Sequence, residues 1–365
     1  MPHLFDPYTL RGVTFRNRIV VSPMCEYSSE DGFANDWHFV HLGSRAVGGA
    51  GLVITEAAAV TPNGRISPQD LGVWSEKHFE PLARLTHFMA GQGAVSGIQL
   101  AHAGRKASTY RSFPGEPSGE VKPADGGWQV VAPSALPFSK TYPQPKELTL
   151  AEIADLRAAF VTAAVRSHEA GFQVIELHAA HGYLFHEFLS PLSNQRTDQY
   201  GGSFENRIRI LVETAEAARA KLPERAVLFV RLSATDWVAG GWDAEQTVEL
   251  ARKLKPLGVD LIDVSTGGNV ERAEIPAGPG YQTPFAERVR REAGIPSSAV
   301  GFITDPAQAD HIVRTGQADM VMLARELLRN PYWPLHAAEA LGHATTWPVQ
   351  YLRAAPKGST ARAAI

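Results

Sequence analysis

The chain has 365 residues and a formal net charge of −3, from 35 Lys and Arg against 38 Asp and Glu. Its one cysteine, Cys25, excludes an intrachain disulfide, a cysteine-ligated iron–sulfur cluster and a four-cysteine zinc site. The near-neutral balance, without a basic run, argues against a nucleic-acid partner. No apolar run reaches the roughly 18 residues that span a bilayer, and residues 1–6 lack the basic and apolar regions of a signal peptide. We therefore expect a cytoplasmic globular protein with no membrane partner.

Short aliphatic runs recur along the chain, each long enough for one strand. They are nearly continuous rather than alternating, which is typical of parallel strands buried on both faces. The eight runs are residues 19–21, 52–54, 97–100, 174–177, 228–230, 261–264, 299–302 and 320–323.

Helical patterns lie between these runs, for example over residues 150–170, 204–221, 244–257 and 306–314. Thr149 with Glu152 three residues later predicts a capping box at the start of one helix. Gly171, Gly258 and Gly316 follow helical stretches, where a left-handed residue is expected.

Eight successive β/α units predict a single (β/α)8 TIM barrel over residues 1–353. A doubly wound sheet is the competing fold, but it normally carries a Gly-rich fingerprint after its first strand, where this chain has Ser22 to Cys25. Residues 103–148 form a Pro- and Gly-containing stretch without periodicity, which we interpret as a long excursion after strand 3 over the mouth of the barrel. Residues 354–365 are expected to be a flexible tail.

The residues at the carboxyl ends of the strands are expected to converge on one mouth. They form a polar set rich in hydrogen-bond donors and short of carboxylates. The set comprises Pro23, Met24, Cys25, Tyr27, Glu56, Ala57, Gln99, His102, His178, His181, Arg231, Ser265, Gly267, Gly268, Gly301, Ala324 and Arg325.

The segment from His178 to Tyr183 is the densest chemical feature. Two imidazoles three residues apart can aim at one point if the segment turns helical. They could be metal ligands, with Glu176, His102 or Asp263 completing the set, although none gives a recognised spacing. They could instead donate hydrogen bonds to a carbonyl or nitro oxygen and stabilise developing charge, with Tyr183 as a proton donor beside them.

Two basic residues complete the predicted mouth. The amides after Gly267, Gly301 and Ala324 follow strands six to eight, and Arg325 beside them points to a phosphate site. Arg231 ends strand five and needs an anionic partner, for which Glu176 and Asp263 are the candidates within the chain.

Four segments together resemble the Old Yellow Enzyme family of FMN-dependent ene-reductases. They are residues 22–27 (SPMCEY), 99–106 (QLAHAGRK), 178–183 (HAAHGY) and 193–203 (SNQRTDQYGGS). The cysteine after Pro-Met and the HAAHGY segment are similar to its thermophilic-like branch of NADPH dehydrogenases and xenobiotic reductases. The likeness extends from about residue 4 to residue 353.

The resemblance implies one noncovalently bound FMN, with NADPH as reductant, and no metal. It implies that Ser22, Pro23, Met24, Cys25, Ala57, Gln99 and Arg231 line the flavin ring and that Gly301, Ala324 and Arg325 hold its phosphate. A thiol at Cys25 would then adjust the redox potential through a hydrogen bond to the flavin.

The resemblance also implies the reaction, in which the C=C bond of an α,β-unsaturated carbonyl or nitro compound is reduced by ping-pong hydride transfer through flavin N5. His178 and His181 match the pair that binds the activating oxygen, Tyr183 the proton donor and Tyr27 a second substrate contact. Arg353 matches an arginine that reaches the neighbouring site in a homodimer or homotetramer.

Two departures from the family pattern concern this implied site. Ala324 replaces a glycine, and a positive φ there would cost about 1 kcal/mol. Ala354 to Pro356 follow Arg353 where the family has a Gly-Trp end.

The sequence alone leaves two other functions open besides ene-reduction. A metal-dependent barrel hydrolase or aldolase would use the histidines as ligands, and a non-catalytic flavin-binding barrel would have no turnover. An iron–sulfur dienoyl reductase is excluded, because it would need extra domains and more cysteines.

Overall fold

The computed structural model describes residues 1–362, and its centre is a closed barrel of eight parallel strands in chain order. The barrel closes where β8 pairs with β1, with Val321 opposite Ile19. The strands are β1 (Ile19–Val21), β2 (Leu52–Ala59), β3 (Val95–Ala101), β4 (Val174–Ala179), β5 (Val227–Ser233), β6 (Leu261–Ser265), β7 (Ser297–Ala299) and β8 (Met320–Leu323). The predicted single (β/α)8 barrel is confirmed.

Helices surround the barrel. They are α1 (Asp36–Val47), α2 (Phe79–Gly91), α3 (Leu150–Glu169), α4 (Leu184–Leu189), α5 (Phe204–Lys221), α6 (Ala244–Leu254), α7 (Thr283–Arg288), α8 (Pro306–Arg314), α9 (Arg325–Arg329) and α10 (Trp333–Ala340). The four predicted helical stretches correspond to α3, α5, α6 and α8. The Thr149–Glu152 capping box is present at α3, and Gly171, Gly258 and Gly316 have φ of 97°, 87° and 71° as predicted. None of these helices is long and apolar enough to cross a membrane, as far as residue 362.

The seventh strand lies earlier than the sequence predicts. It covers Ser297–Ala299 rather than residues 299–302, because Gly301 and Phe302 take positive φ of 119° and 48° and leave the sheet. Ser298 lies opposite Asp263 on the neighbouring strand β6 and donates a hydrogen bond of 2.9 Å to its carboxylate. A strand made of small and polar residues has no apolar run to reveal it.

A short antiparallel hairpin, Tyr8–Leu10 with Val13–Phe15, closes the amino end of the barrel. Phe15 is fully buried and belongs to the same apolar cluster as Val20 and Leu52 of the barrel interior. The opposite, carboxyl end is therefore the one that remains for a site.

The excursion after β3 lies over that carboxyl end, since its residues line a cavity together with Tyr27 and Tyr183. It contains single turns at Gly104–Lys106 and Pro123–Asp125 and a two-stranded ladder, Val131–Ala132 with Lys146–Glu147.

Part of the segment expected to be a flexible tail pairs with the preceding chain. Thr360–Arg362 lies parallel to Thr346–Pro348, and the guanidinium of Arg362 is 3.4 Å from the carbonyl oxygen of Ala46 at the end of α1. Residues 363–365 of that segment lie outside the described residues.

Candidate active site

The barrel register brings the predicted strand-end residues to one mouth. His178 on β4 lies opposite Arg231 on β5, and Arg231 lies opposite Asp263 on β6. On the other side of the mouth Ala57 lies opposite Gln99. Residues paired in register point to the same face of a sheet, so these side chains share one space.

His178 and His181 are brought together by a turn and not by a helix. His181 has a left-handed backbone with φ 59°, and α4 begins only at Leu184. The two ring centres are 5.2 Å apart, with the planes at 88°. The helical conformation considered for this segment is therefore wrong, because Ser233 Oγ accepts a hydrogen bond of 3.0 Å from the His181 amide and fixes the turn.

The protonation of His178 follows from its neighbours. The amide of Ala180 donates a hydrogen bond of 3.2 Å to Nδ1, so the ring proton of the neutral imidazole lies on Nε2. Burial, together with the positive charge of Arg231, lowers the pKa of both His178 and His181 well below the ordinary value. Both rings are neutral at neutral pH, and His178 carries an N–H donor on Nε2.

Tyr183 lies beside this pair, with its ring centre 5.0 Å from that of His178. Burial raises the pKa of Tyr183 well above its usual value, and the nearby Cys25 and Asp70 add to the shift. Burial also raises the pKa of Tyr27, whose backbone is left-handed with φ 48°. Both phenols keep their protons at neutral pH.

Lys106 secures the turn from the other side. Its ammonium group donates hydrogen bonds of 2.8 Å to the His181 carbonyl and 3.0 Å to the Gly268 carbonyl. Burial lowers its pKa to about 8, so near neutral pH it carries a positive charge next to the histidines.

Arg231 has an ion-pair partner within the barrel. Its Nε is 2.9 Å from Oδ2 of Asp263, at an angle outside hydrogen-bond geometry. Gln99 donates a hydrogen bond of 2.8 Å to Glu176. Burial and the neighbouring Asp263 raise the pKa of Glu176 to about 8, and burial also raises the pKa of Asp263.

The residues after β1 lie at the same mouth. Ser22 is buried, and its amide donates to the Leu323 carbonyl at 3.0 Å, whereas Pro23, Met24 and Cys25 are half-buried. Burial raises the pKa of Cys25 well above its usual value, with the Asp70 and Glu56 carboxylates adding to the effect. Cys25 is therefore a neutral thiol.

A cavity of about 220 Å³ lies at the far side of the mouth and is lined by Gly301, Ala324, Arg325, Ser265 and Gln282 among others. Gly267 does not line it. Gly301 has φ 119°, a backbone conformation that strains any residue with a Cβ, and a Cβ there would also crowd the Gln282 and Tyr281 side chains at 2.8 and 2.9 Å. Ala324 has φ −107° and carries no left-handed strain, so the expected cost of alanine does not arise.

These features fit a flavin mononucleotide. Ser22 Oγ is buried without a hydrogen-bond partner among residues 1–362, and Nε of Arg231 makes no hydrogen bond there. Arg325 lies at the start of α9, where the first amides of a helix have no partner within the helix. A cation with free amides suits a phosphate.

Arg353 does not join this site within its own chain. It is exposed on the turn Val349–Ala354 and lines neither the cavity at Arg325 nor the one at Tyr183.

No group of three or more possible metal ligands occurs in the part of the chain that the structure describes. Within residues 1–362, His178 and His181 therefore have no third side chain beside them that would complete a metal site.

Asp70 is a buried carboxyl group beside this mouth that the sequence did not reveal. It lies in the loop after β2, lines a small cavity with Ala57 and Tyr183, and burial raises its pKa to about 7. Its loop carries no motif that could have indicated it, since Asp70 lies well beyond the end of β2 at Ala59.

Comparison with known proteins matches this picture. The model of the family described as NADH:flavin oxidoreductase / NADH oxidase matches residues 3–343. The chain is 52% identical to an NADPH dehydrogenase of Geobacillus sp. (strain WCH70), over 96% of this chain and 98% of that protein.

Solved structures show the same architecture. An Old Yellow Enzyme homologue from Zymomonas mobilis superposes with a TM-score of 0.75 at 27% identity, covering 93% of each chain. A 2-naphthoyl-CoA reductase superposes with a TM-score of 0.83 at 26% identity, over 93% of this chain and 52% of that longer protein.

The family match spans almost the whole chain, and the Geobacillus relative with 52% identical residues is an NADPH dehydrogenase. The chain therefore belongs to the NADH:flavin oxidoreductase / NADH oxidase family, as an Old Yellow Enzyme-type oxidoreductase with FMN as its cofactor and NADPH as its reductant.

Proposed function

We propose that this NADPH-dependent flavin oxidoreductase is an ene-reductase that reduces the C=C bond of α,β-unsaturated carbonyl or nitro compounds by a ping-pong cycle. FMN, when bound, supplies the hydride chemistry by accepting hydride from NADPH and delivering it from N5 to the β-carbon of the alkene. The protein supplies binding, orientation and the proton.

The observation that carries the proposal is the perpendicular pair of neutral imidazoles at His178 and His181. The N–H donor on Nε2 of His178 would stabilise the negative charge that develops on a substrate oxygen when hydride reaches the β-carbon. Nε2 of His181 lies 2.7 Å from Oγ of Ser265, and His181 would exchange this contact for the same substrate oxygen. A carbonyl or nitro oxygen on the substrate is the natural acceptor, and polarising it makes the β-carbon electrophilic.

Tyr183 would then protonate the α-carbon. Its phenol lies next to His178 and keeps its proton because of burial. General acid catalysis requires a donor that is still protonated at the working pH. Tyr27, at the edge of the same cavity, would contact the substrate from the other side.

The flavin would be held by the mouth. Arg231 would face the pyrimidine edge of the ring, and Ser22, Pro23, Met24, Cys25, Ala57 and Gln99 would line it. Gly301, Ala324 and Arg325 would bind the phosphate in the cavity at α9.

Absorption spectroscopy of the flavin-loaded protein tests the proposal. Anaerobic NADPH should bleach the flavin band, and 2-cyclohexenone added afterwards should restore it and appear as cyclohexanone. A band that NADPH bleaches but no enone, maleimide or nitroalkene restores would contradict ene-reduction and favour a different electron acceptor.

We also propose that the protein is a homodimer or homotetramer in which Arg353 reaches the neighbouring site. Supporting this, Arg353 is exposed beside the exposed apolar side chains Val349 and Tyr351. Analytical ultracentrifugation should give a mass of at least two chains, and Arg353→Ala should raise the KM for the enone. A monomer with full activity would contradict this.

A further inference from the structure

The cavity above Tyr183 is larger than a small alkene requires. Its volume is about 410 Å³, within the range of pockets that hold drug-sized ligands. It extends from Tyr27 and Tyr183 at the barrel mouth to residues 109–119 of the excursion. The site thus has an outer part that the proposed reaction does not use.

Aromatic side chains form part of the lining of this outer region, among polar residues such as Thr109 and Ser112. Tyr110, Phe113 and Tyr142 of the excursion line it together with Tyr27 and Tyr183 at the barrel mouth. The Phe113 ring meets Tyr27 edge to face, with centres 6.1 Å apart and planes at 82°. Phe113 remains 41% exposed, so part of its apolar surface is available to a ligand.

Arg111 connects the excursion to the barrel. Its Nε donates hydrogen bonds of 2.8 and 2.9 Å to the two carboxylate oxygens of Glu116, and Nη1 donates one of 3.0 Å to the carbonyl of Tyr27. Its guanidinium carbon also lies 4.7 Å from the centre of the Phe113 ring. One side chain therefore fixes the turn of the excursion, the aromatic ring and the loop that carries Tyr27.

The contacts of Arg111 position the Phe113 ring, but the ion pair with Glu116 adds little stability to the excursion. The Arg111 and Glu116 side chains are 28% and 30% exposed, and ion pairs open to water are weak.

We propose that Phe113 and Arg111 determine substrate specificity, with the excursion forming an aromatic wall that binds a planar aryl substituent on the alkene. Phe113 contacts the substituent, and Arg111 is a positioning residue that holds Phe113 over the mouth. The inference rests on the proposed function and adds the preferred substrate class, which is aryl-substituted activated alkenes.

Two maleimides with the same reacting alkene test this inference. N-phenylmaleimide carries an aryl group and N-methylmaleimide does not. Phe113→Ala should lower kcat/KM for the phenyl compound about fivefold, because one aromatic contact is lost, and should leave that for the methyl compound nearly unchanged. Arg111→Ala should lower the ratio of the phenyl to the methyl kcat/KM in the same direction, on top of a loss that both compounds share through the loop of Tyr27. Arg111→Lys should restore part of that ratio.

Lys122→Ala is the matched control. Lys122 also forms an exposed ion pair within the excursion, with Glu120, but it does not line the cavity. This variant should keep the wild-type ratio of the two kcat/KM values. An equal loss for both maleimides in Phe113→Ala, or no loss for the phenyl compound, would overturn the inference.

A binding measurement separates this inference from the proposed function. Calorimetry on the oxidised flavin-loaded protein should show that Phe113→Ala weakens N-phenylsuccinimide about fivefold and N-methylsuccinimide hardly at all. If the wild-type protein reduces neither maleimide but Phe113→Ala still selectively weakens N-phenylsuccinimide, ene-reduction is wrong and aryl binding by Phe113 is supported. If it reduces both maleimides but binds the two succinimides independently of Phe113, the wall is wrong and ene-reduction stands.

Discussion

His178 shows how a backbone contact can determine the chemistry of a side chain. The Ala180 amide occupies Nδ1, which leaves Nε2 as a donor whatever the position of the substrate. Replacing both His178 and His181 by Ala should lower enone turnover at least about 100-fold, the usual cost of losing preorganised donors to a developing oxyanion. It should also weaken binding of a phenol.

Steady-state assays and phenol titrations measure both effects. His311→Ala is a suitable control, since His311 is an exposed histidine on α8. Unchanged phenol affinity in the double variant would show that the imidazoles do not bind the activating oxygen.

Tyr183→Phe separates the two halves of the cycle. The phenol is proposed to donate a proton only to the alkene, so its loss should slow reoxidation by 2-cyclohexenone about 100-fold or more. Reduction by NADPH should proceed at nearly the wild-type rate. Stopped-flow absorbance follows both half-reactions in one preparation, and an equal slowing of both would indicate a packing defect rather than a lost proton donor.

The set of strand-end residues could be predicted from sequence because a barrel brings those positions together. The partner of Arg231 could not. Glu176 and Asp263 lie on the strands to either side, and only the register, which puts Asp263 opposite Arg231, decides between them. Asp70 was missed because nothing in its loop distinguishes it from an ordinary surface aspartate.

At the scale of elements, the start of the excursion depends on one close packing contact. Gly104 has φ 58°, and a Cβ there would lie 2.1 Å from Oε1 of Glu187 on α4. That same oxygen accepts a hydrogen bond of 2.8 Å from the Arg105 amide. A Cβ at residue 104 would therefore displace the buried Glu187 carboxylate and break its hydrogen bond to the Arg105 amide.

Gly104→Ala should therefore destabilise the fold by more than the backbone penalty alone. Gly126→Ala is the matched control, since Gly126 has φ 90° in the same excursion but no atom within 4 Å of its would-be Cβ. The control should cost about 1–2 kcal/mol of unfolding free energy, and Gly104→Ala clearly more. Urea unfolding measures both, and equal losses would contradict the packing argument.

Helices were the most predictable elements, because their capping residues and apolar periodicity depend only on nearby residues in the sequence, as at Thr149 and α5. The hairpin at Tyr8–Phe15 and the polar strand β7 were not predictable. Each is stabilised by distant partners, such as the barrel interior around Phe15 and the Asp263 carboxylate facing Ser298.

At the scale of the whole molecule, buried carboxyl groups predict how stability depends on pH. Burial raises the pKa of Asp70 to about 7 and those of Glu176 and Glu187 to about 8, whereas unfolded carboxyls titrate near about 4. The folded chain therefore binds more protons than the unfolded chain up to about pH 8. The free energy of unfolding should fall as the pH rises from about 7 to about 8.

Other groups act outside that window. Burial lowers the pKa of His102 to about 4, so this histidine changes the free energy of unfolding only below about pH 6.5, where an unfolded histidine titrates. Burial lowers the pKa of Lys106 to about 8, so this lysine makes the free energy of unfolding rise with pH above about pH 8. Glu187→Gln should flatten the decline between about pH 7 and about pH 8 in urea unfolding. A stability that rises across this window in the wild-type protein would contradict the protonation argument.

The hairpin that closes the amino end of the barrel has a practical consequence for handling the protein. Residues 1–3 lead into that end, where the carbonyl of the buried Leu4 accepts a hydrogen bond of 2.9 Å from the amide of Arg18, just before β1. A tag or surface linker joined before residue 1 would thus leave from the side opposite the mouth. Protein immobilised in this way would hold its open end towards the solution, with the aromatic wall and the flavin-binding residues unobstructed.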